Sequence, residues 1–182
     1  QMCIRDRPFS GAATGSGGEI RDRLAGGQGS LPLAGTAVYM TPYPRFENQA
    51  IGFKDRNWLY QKPKEILIKA SNGASDFGNK FGQPLISGSL LTFEHNENNR
   101  LLGFDKVIML AGGIGFANSK HSKKLKIKEG DLIIVLGGDN YRIGMGGAAV
   151  SSTETGKYSS GIELNAVQRS NPEMQKRVSN AI

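Results

Sequence analysis

The sequence predicts an α+β chain. Three observations carry that expectation: short β-forming runs closed by glycine, stretches with helical spacing between them, and no repeated unit. Glycine supplies 25 of the 182 residues, roughly twice its average usage, and does most of the punctuation.

Residues 1–7 (QMCIRDR) carry neither helical nor alternating apolar spacing, and Pro8 biases Arg7 away from helix. The string IRDR recurs at 20–23, which coincidence or a cloning scar would explain, and 1–7 are read as a non-native tail. Segment 11–18 (GAATGSGG) has no side chain larger than threonine and is read as a loop, with Glu19–Leu24 starting a helix. Ala34–Met40 is a β-leaning run closed by TPYP. Residues 44–63 are polar and irregular. Glu65–Ala70 is read as a short helix feeding a polar turn at 71–82.

Pro84–Glu94 reads as a strand with Gly88 inside it, and 95–100 (HNENNR) as a loop. Val107–Leu110 reads as a short buried strand ended by GGIG at 112–115. Lysines alternate with Leu125 and Ile127 over 120–128, the pattern of a surface edge. Asp131–Leu136 (DLIIVL) is the clearest candidate for a buried strand, and leads into a second glycine-rich stretch at 137–152. Over Glu163–Ile182 the spacing is helical, and Pro172 divides it. The second helix then begins with Asn171 as cap and Pro172 as its first residue.

Composition narrows the function. There is no collagen period, 38% of residues are apolar, and no apolar run approaches the ~18 residues of a membrane span. No signal peptide is visible, so a cytoplasmic location is expected. A lone cysteine, Cys3, excludes an internal disulfide and a cysteine-built metal site. The net charge of +7 suits a nucleic acid or a small phosphorylated substrate equally well.

A loop of tiny residues leading into a helix is a physical anion trap, because free amides point inward and the helix dipole favours negative charge. GAATGSGGEIRD at 11–22 has that form and adds Arg21, which can fork phosphate oxygens, and Asp22, which can take Mg²⁺. The same stretch also reads as a tight turn that needs flexible glycines and binds nothing. It is not a Walker A loop, since no Gly-Lys-Ser/Thr follows. GMGGAAV at 144–150 has dinucleotide-fingerprint spacing, but Gly144 lies eight residues beyond Leu136, too far for the tight turn of that unit. His95 and His121 sit in polar stretches and are read as solvent-facing. The lysines at 120–128 lack the interleaved aromatics of a single-strand binder, which favours a solvated edge.

At 8–22, PFSGAATGSGGEIRD resembles the glycine-rich segment of phosphoribosylformylglycinamidine synthase in its large single-chain form. ASNGASDFGNKFGQPLISG at 70–88, VIMLAGGIG at 107–115, LGGDNYRIGMGG at 136–147 and NAVQRSNPEMQKR at 165–177 resemble successive blocks of the same family, in order. The resemblance implies an N-terminal-type subdomain of the aminoimidazole ribonucleotide synthetase-like superfamily over 8–129. The start of the following C-terminal-type subdomain would occupy 130–182. It implies a C–N ligase of purine biosynthesis acting on formylglycinamide ribonucleotide, with ATP and Mg²⁺ as cofactors. ATP would phosphorylate the formylglycinamide oxygen, and ammonia from a glutaminase domain would displace that phosphate.

By resemblance, the ATP-binding residues would be Gly11, Ala12, Ala13, Thr14, Gly15, Ser16, Gly17, Gly18, Glu19, Ile20, Arg21 and Asp22, with Ser87, Gly88 and Ser89 as a second contact. Arg21 would also meet the substrate phosphate, and Asp22 would bind the metal. Family members carry Gly at Ala148 and Ala at Val150, departures that restrict backbone approach in the second glycine loop. The family's histidine-rich ETHNHP-like block, with its catalytic histidine, has QMCIRDR in its place here, so no catalytic residue is assigned. The second synthetase half, expected to complete the first sheet by pseudo-symmetry, and the glutaminase domain lie outside this sequence. Turnover by this chain alone is therefore not expected. Aminoimidazole ribonucleotide synthetase and selenophosphate synthetase are the nearest alternatives within the superfamily, and a basic nucleic-acid-binding module is the alternative outside it.

Overall fold

Residues 8–26, 30–46, 57, 61–105, 107–137, 157, 159 and 171–182 are described in the computed structural model. The glycine-rich stretch near the start is a helix, not a loop. Helix α1 (Pro8–Leu24) begins with proline, whose fixed φ suits a first helical position, and runs unbroken through all of GAATGSGG. Glycine costs a helix interior about 1 kcal/mol relative to alanine. Packing offsets that cost, because small residues let α1 lie close against helix α2 (Pro63–Phe81). A Cβ on Gly73 of α2 would stand 2.0 Å from the carbonyl oxygen of Phe9, and one on Gly17 would stand 2.6 Å from the Phe77 ring.

The turn expected at 71–82 is likewise helical. Ile66, Ala70, Ala74, Phe77 and Phe81 are all buried at three- and four-residue spacings, so α2 runs on to Phe81 with its polar residues outward. Gly82 then takes the left-handed conformation (φ 89°) and its amide donates to the Gly78 carbonyl at 2.9 Å, ending the helix.

Strand β1 (Ser30–Thr41) extends the predicted run at both ends and is the middle of a three-stranded sheet. It pairs in parallel with β2 (Leu85–Thr92), with α2 as the crossover, and antiparallel with a later strand, β5 (Ile108–Ala117). GGIG does not end β5; the strand runs through it. Between β2 and β5, residues 95–100 belong to a hairpin of β3 (Glu94–Glu97) and β4 (Arg100–Gly103). Asn98 and Asn99, both at positive φ, form its two-residue turn, the conformation that favours asparagine. The Glu94 carboxylate is fully buried and accepts from the Tyr43 amide and Arg45, which pins the end of TPYP to β3.

One sheet face is covered. Ala12, Ala37, Ile66, Ala70, Ala74, Val107 and Met109 form one core cluster, and Ala13, Ile20, Phe77 and Phe81 a second. Burying a side chain the size of Phe77 contributes about 1.5–3 kcal/mol. The opposite face carries Leu110 and Ile114, the latter 63% exposed. Asp131–Leu136 forms no strand among the described residues, and Ile133 is 92% exposed. Its apolar run marks a segment suited to burial without specifying what covers it. Residues 120–128 are exposed, as the lysine pattern predicts, after a 3₁₀ turn at Ser119–His121.

Helix α3 (Pro172–Ala181) begins as expected: the Asn171 side chain accepts from the Met174 amide at 3.1 Å, and Pro172 is the first residue. It packs on α2, with the Lys176 ammonium 5.1 Å from the Phe81 ring centre. The helix expected over 163–170 and the glycine loop at 144–150 lie outside the described residues. The α+β class holds, and an alternating helix-and-sheet pairing underlies it.

Two predictions follow from this packing. Gly73→Ala should lower stability by about 1–3 kcal/mol, since its Cβ meets backbone that no rotamer change relieves. Gly18→Ala, whose Cβ would have 3.8 Å to its nearest neighbour, should instead gain up to about 1 kcal/mol from helix propensity; chemical denaturation of both variants checks the pair. Burial pushes the Tyr39 phenol up to about 12. Its folded pKa exceeds the unfolded value near 10, so its contribution to stability is full below pH ~10 and lost as pH rises through about 12. An ultraviolet titration of tyrosinate should show a late component that Tyr39→Phe removes.

Candidate functional site

Every amide in an α-helix beyond the first turn donates to the carbonyl four residues back. The amides of residues 12–22 are therefore committed within α1 and do not form the open cradle read from the sequence. Gly11, Ala12, Ala13, Thr14, Ser16, Gly17 and Ile20 are buried. Thr14 donates its hydroxyl to the Ser10 carbonyl at 2.8 Å, while the Ser16 hydroxyl is buried with no hydrogen-bond partner among the described residues. Gly15, Gly18 and Glu19 are half-buried.

Arg21 and Asp22 diverge at the end of this helix. Arg21 is half-buried and its guanidinium folds back along α1, with Nη1 3.0 Å from where a Gly17 Cβ would stand. Burial draws the guanidinium below its ordinary pKa, and neighbouring Asp22 opposes that shift. Arg21 forms no hydrogen bond or ion pair with another described residue. It opens instead onto a cavity of about 620 Å³ between the end of α1, the start of β1, the end of β5 and α3. Leu24, Leu31, Phe116 and Met174 give this cavity apolar walls, and His121 and Lys176 join Arg21 as its basic groups. An anion carrying an organic body fits such a lining.

Asp22 is exposed and does not line that cavity. No group of three or more His, Cys, Asp or Glu side chains able to hold a metal exists among the described residues. Asp22 can offer one carboxylate to Mg²⁺, but the described residues do not complete its shell.

Ser87, Gly88 and Ser89 lie exposed on β2. The Ser87 hydroxyl donates to Thr36 Oγ1 at 3.2 Å, and Thr36 donates to the Ser87 carbonyl at 2.9 Å. Thr36 precedes Ala37, which faces the helices, so Ser87 lies on the open side of the sheet. The two expected nucleotide contacts are thus on opposite faces of one sheet and are not brought together.

Sequence reasoning missed a densely connected polar cluster among the described residues. Glu19, assigned above to ATP, is paired with Arg23 four residues on, and also accepts from Gln83 Nε2 at 2.6 Å. Burial raises the Glu19 pKa, against the lowering effects of its Gln83 hydrogen bond and of Arg23. The four-residue spacing of Glu19 and Arg23, inside the helix expected from Glu19 onward, was the available signal. His121 and His95 are both exposed, as expected, yet His121 also lines the cavity.

Three relatives carry the same enzyme name. The chain is 39% identical to phosphoribosylformylglycinamidine synthase of Drosophila melanogaster and 38% identical to that of Dictyostelium discoideum, each over 96% of its length. It is 41% identical, over 94% of its length, to the probable phosphoribosylformylglycinamidine synthase, chloroplastic/mitochondrial, of Arabidopsis thaliana. The chain spans 12–14% of the length of these relatives. Among solved structures, "T. maritima PurL complexed with FGAR" matches with a TM-score of 0.56 and 26% identity, over 96% of this chain and 24% of that one. No family model matches. No helix among the described residues is long and apolar enough to cross a membrane.

Proposed function

We propose, for a chain homologous over 96% of its length with phosphoribosylformylglycinamidine synthases, that it forms part of a synthetase core making formylglycinamidine ribonucleotide. The observation that carries this reading is Arg21: a half-buried cation with no ion-pair partner among the described residues, at the wall of a basic, apolar-sided cavity. Its ligand on this reading is the phosphate of formylglycinamide ribonucleotide, which a guanidinium binds by two parallel hydrogen bonds. Similarity to a structure described as complexed with FGAR supports that choice. Lys176 adds positive charge and His121 a hydrogen-bonding imidazole, while Leu24, Phe116 and Met174 exclude water from the organic part of the ligand.

ATP and Mg²⁺ are the proposed cofactors; ATP supplies the phosphoryl group that activates the amide oxygen for displacement by ammonia. Asp22 is the carboxylate this chain offers the metal. With the amides of 12–22 tied into α1 and no group of three or more metal-ligating side chains among the described residues, no catalytic step is assigned to them. A subdomain boundary near Gly130, which has positive φ (91°), and cover for the open sheet face by a second synthetase half belong to the same reading. A cytoplasmic location is retained in it, although one plant relative is named for organelles.

Titration calorimetry with formylglycinamide ribonucleotide tests the assignment. Arg21→Ala should weaken binding at least about tenfold, the loss expected from a charge-assisted fork. Unchanged affinity would overturn the reading. Turnover with ATP and ammonium should stay at the blank for this chain alone.

A further inference from the structure

Arg23 sits two residues beyond Arg21 and does not line the cavity. Its guanidinium nevertheless makes five hydrogen bonds to described residues. Nη1 donates to the carbonyls of Ala34 on β1, at 3.2 Å, and of Ile114 on β5. Nη2 donates to the carboxylate of Glu19 on α1 and to the side-chain oxygen of Gln83 in the α2–β2 turn. Nε donates to the Glu19 carbonyl at 3.3 Å. One side chain therefore ties α1 to both strands it crosses and to the far end of α2.

The backbone is shaped around that side chain. A Cβ on Gly113 would stand 2.7 Å from Arg23 Nη1, and one on Gly35 would stand 2.8 Å from Gln83 Nε2 and 3.0 Å from a Glu19 carboxylate oxygen. Any other residue at either position would push the cluster out of its seat. Gly113, which reads in the sequence as part of a strand end, and Gly35, inside a predicted strand, thus clear a window for a guanidinium. The Arg23 carbonyl also accepts from the hydroxyl of Ser30, a residue of the cavity wall.

We infer that Arg23, seated by Glu19 and Gln83, is a positioning residue that fixes the last turn of α1 and thereby aims Arg21 into the cavity. The inference rests on the reading of Arg21 as a phosphate contact. An arginine is needed because five donors in a rigid plane reach partners in several directions at once; a lysine ammonium carries the charge without the fork. Without the clamp the final turn frays, as helix ends do, and Arg21 samples directions that miss the ligand.

A double-mutant cycle tests it, with formylglycinamide ribonucleotide as the probe and calorimetry on the 182-residue chain. Arg21→Lys and Arg23→Lys should each weaken binding about tenfold, and the double variant should be no weaker than about tenfold, because Arg23 acts only through Arg21. Losses that multiply to about a hundredfold would show that Arg23 acts independently, and would overturn the inference. An Arg23→Lys variant that binds like the parent would overturn it too. If Arg23→Lys does not fold, Gln83→Leu, which removes one acceptor, replaces it in the same cycle with the same expectations. Unchanged binding in Arg21→Lys removes the phosphate reading and this inference together, whereas loss in Arg21→Lys with no coupling removes this inference alone.

Discussion

The distance between α1 and α2 governs what the rest of the molecule can be. Two helices usually pack with axes 8–10 Å apart, set by the side chains between them. Here those side chains are glycine, alanine and serine on α1 facing Gly73, Ala74 and Phe77 on α2, and the Phe9 backbone reaches Gly73 directly. Close approach lets both helices share one face of a three-stranded sheet. It also determines which residues remain outside the contact. Ala12, Ala13, Ser16 and Gly17 are spent on packing, so the chemistry left to α1 concentrates at its C-terminal turn, in Glu19, Arg21, Asp22 and Arg23.

At that turn, neighbouring residues divide structure from recognition. Glu19 and Arg23 lie four apart on one side and face the sheet, joined to Gln83 beneath Gly35 and Gly113. Arg21 lies between them in sequence but turns to the cavity under α3. Leaving a half-buried guanidinium without a full ion pair costs stability, and natural proteins tolerate that cost chiefly where a ligand supplies the missing charge. The polar cluster next to it has the opposite character: nearly every donor is matched, which holds a surface in place but leaves nothing to bind with.

Much of the architecture was legible from local pattern. The β-forming run Ala34–Met40, the strand within Pro84–Glu94 and the Asn171–Pro172 helix start follow from periodicity and capping, and all three are found, the first two with shifted bounds. Errors share a cause. GAATGSGG reads as a loop and SNGASDFGNKFG as a polar turn because glycine and small polar residues lower helix propensity, yet tertiary packing selects those very residues for close contact between helices. GGIG misled in the same way: its glycines admit Arg23 within a strand instead of ending one. DLIIVL announced burial, but a hydrophobic run contains no information about its partner. Of the candidate site, Arg21 stands out in the sequence both as a phosphate-forking residue and through family resemblance, while its separation from Ser87–Ser89 by the thickness of a sheet depends on a register that no single segment encodes.

Amide hydrogen exchange across residues 12–20, measured with and without ATP and Mg²⁺, bears most directly on whether this glycine-rich stretch is packed helix or open phosphate loop. Slow exchange in the free chain, little changed by nucleotide, is the result that a helix buried against α2 requires. Fast exchange in the free chain, slowed strongly when nucleotide is added, would mean that the amides are available for phosphate, and would contradict the account.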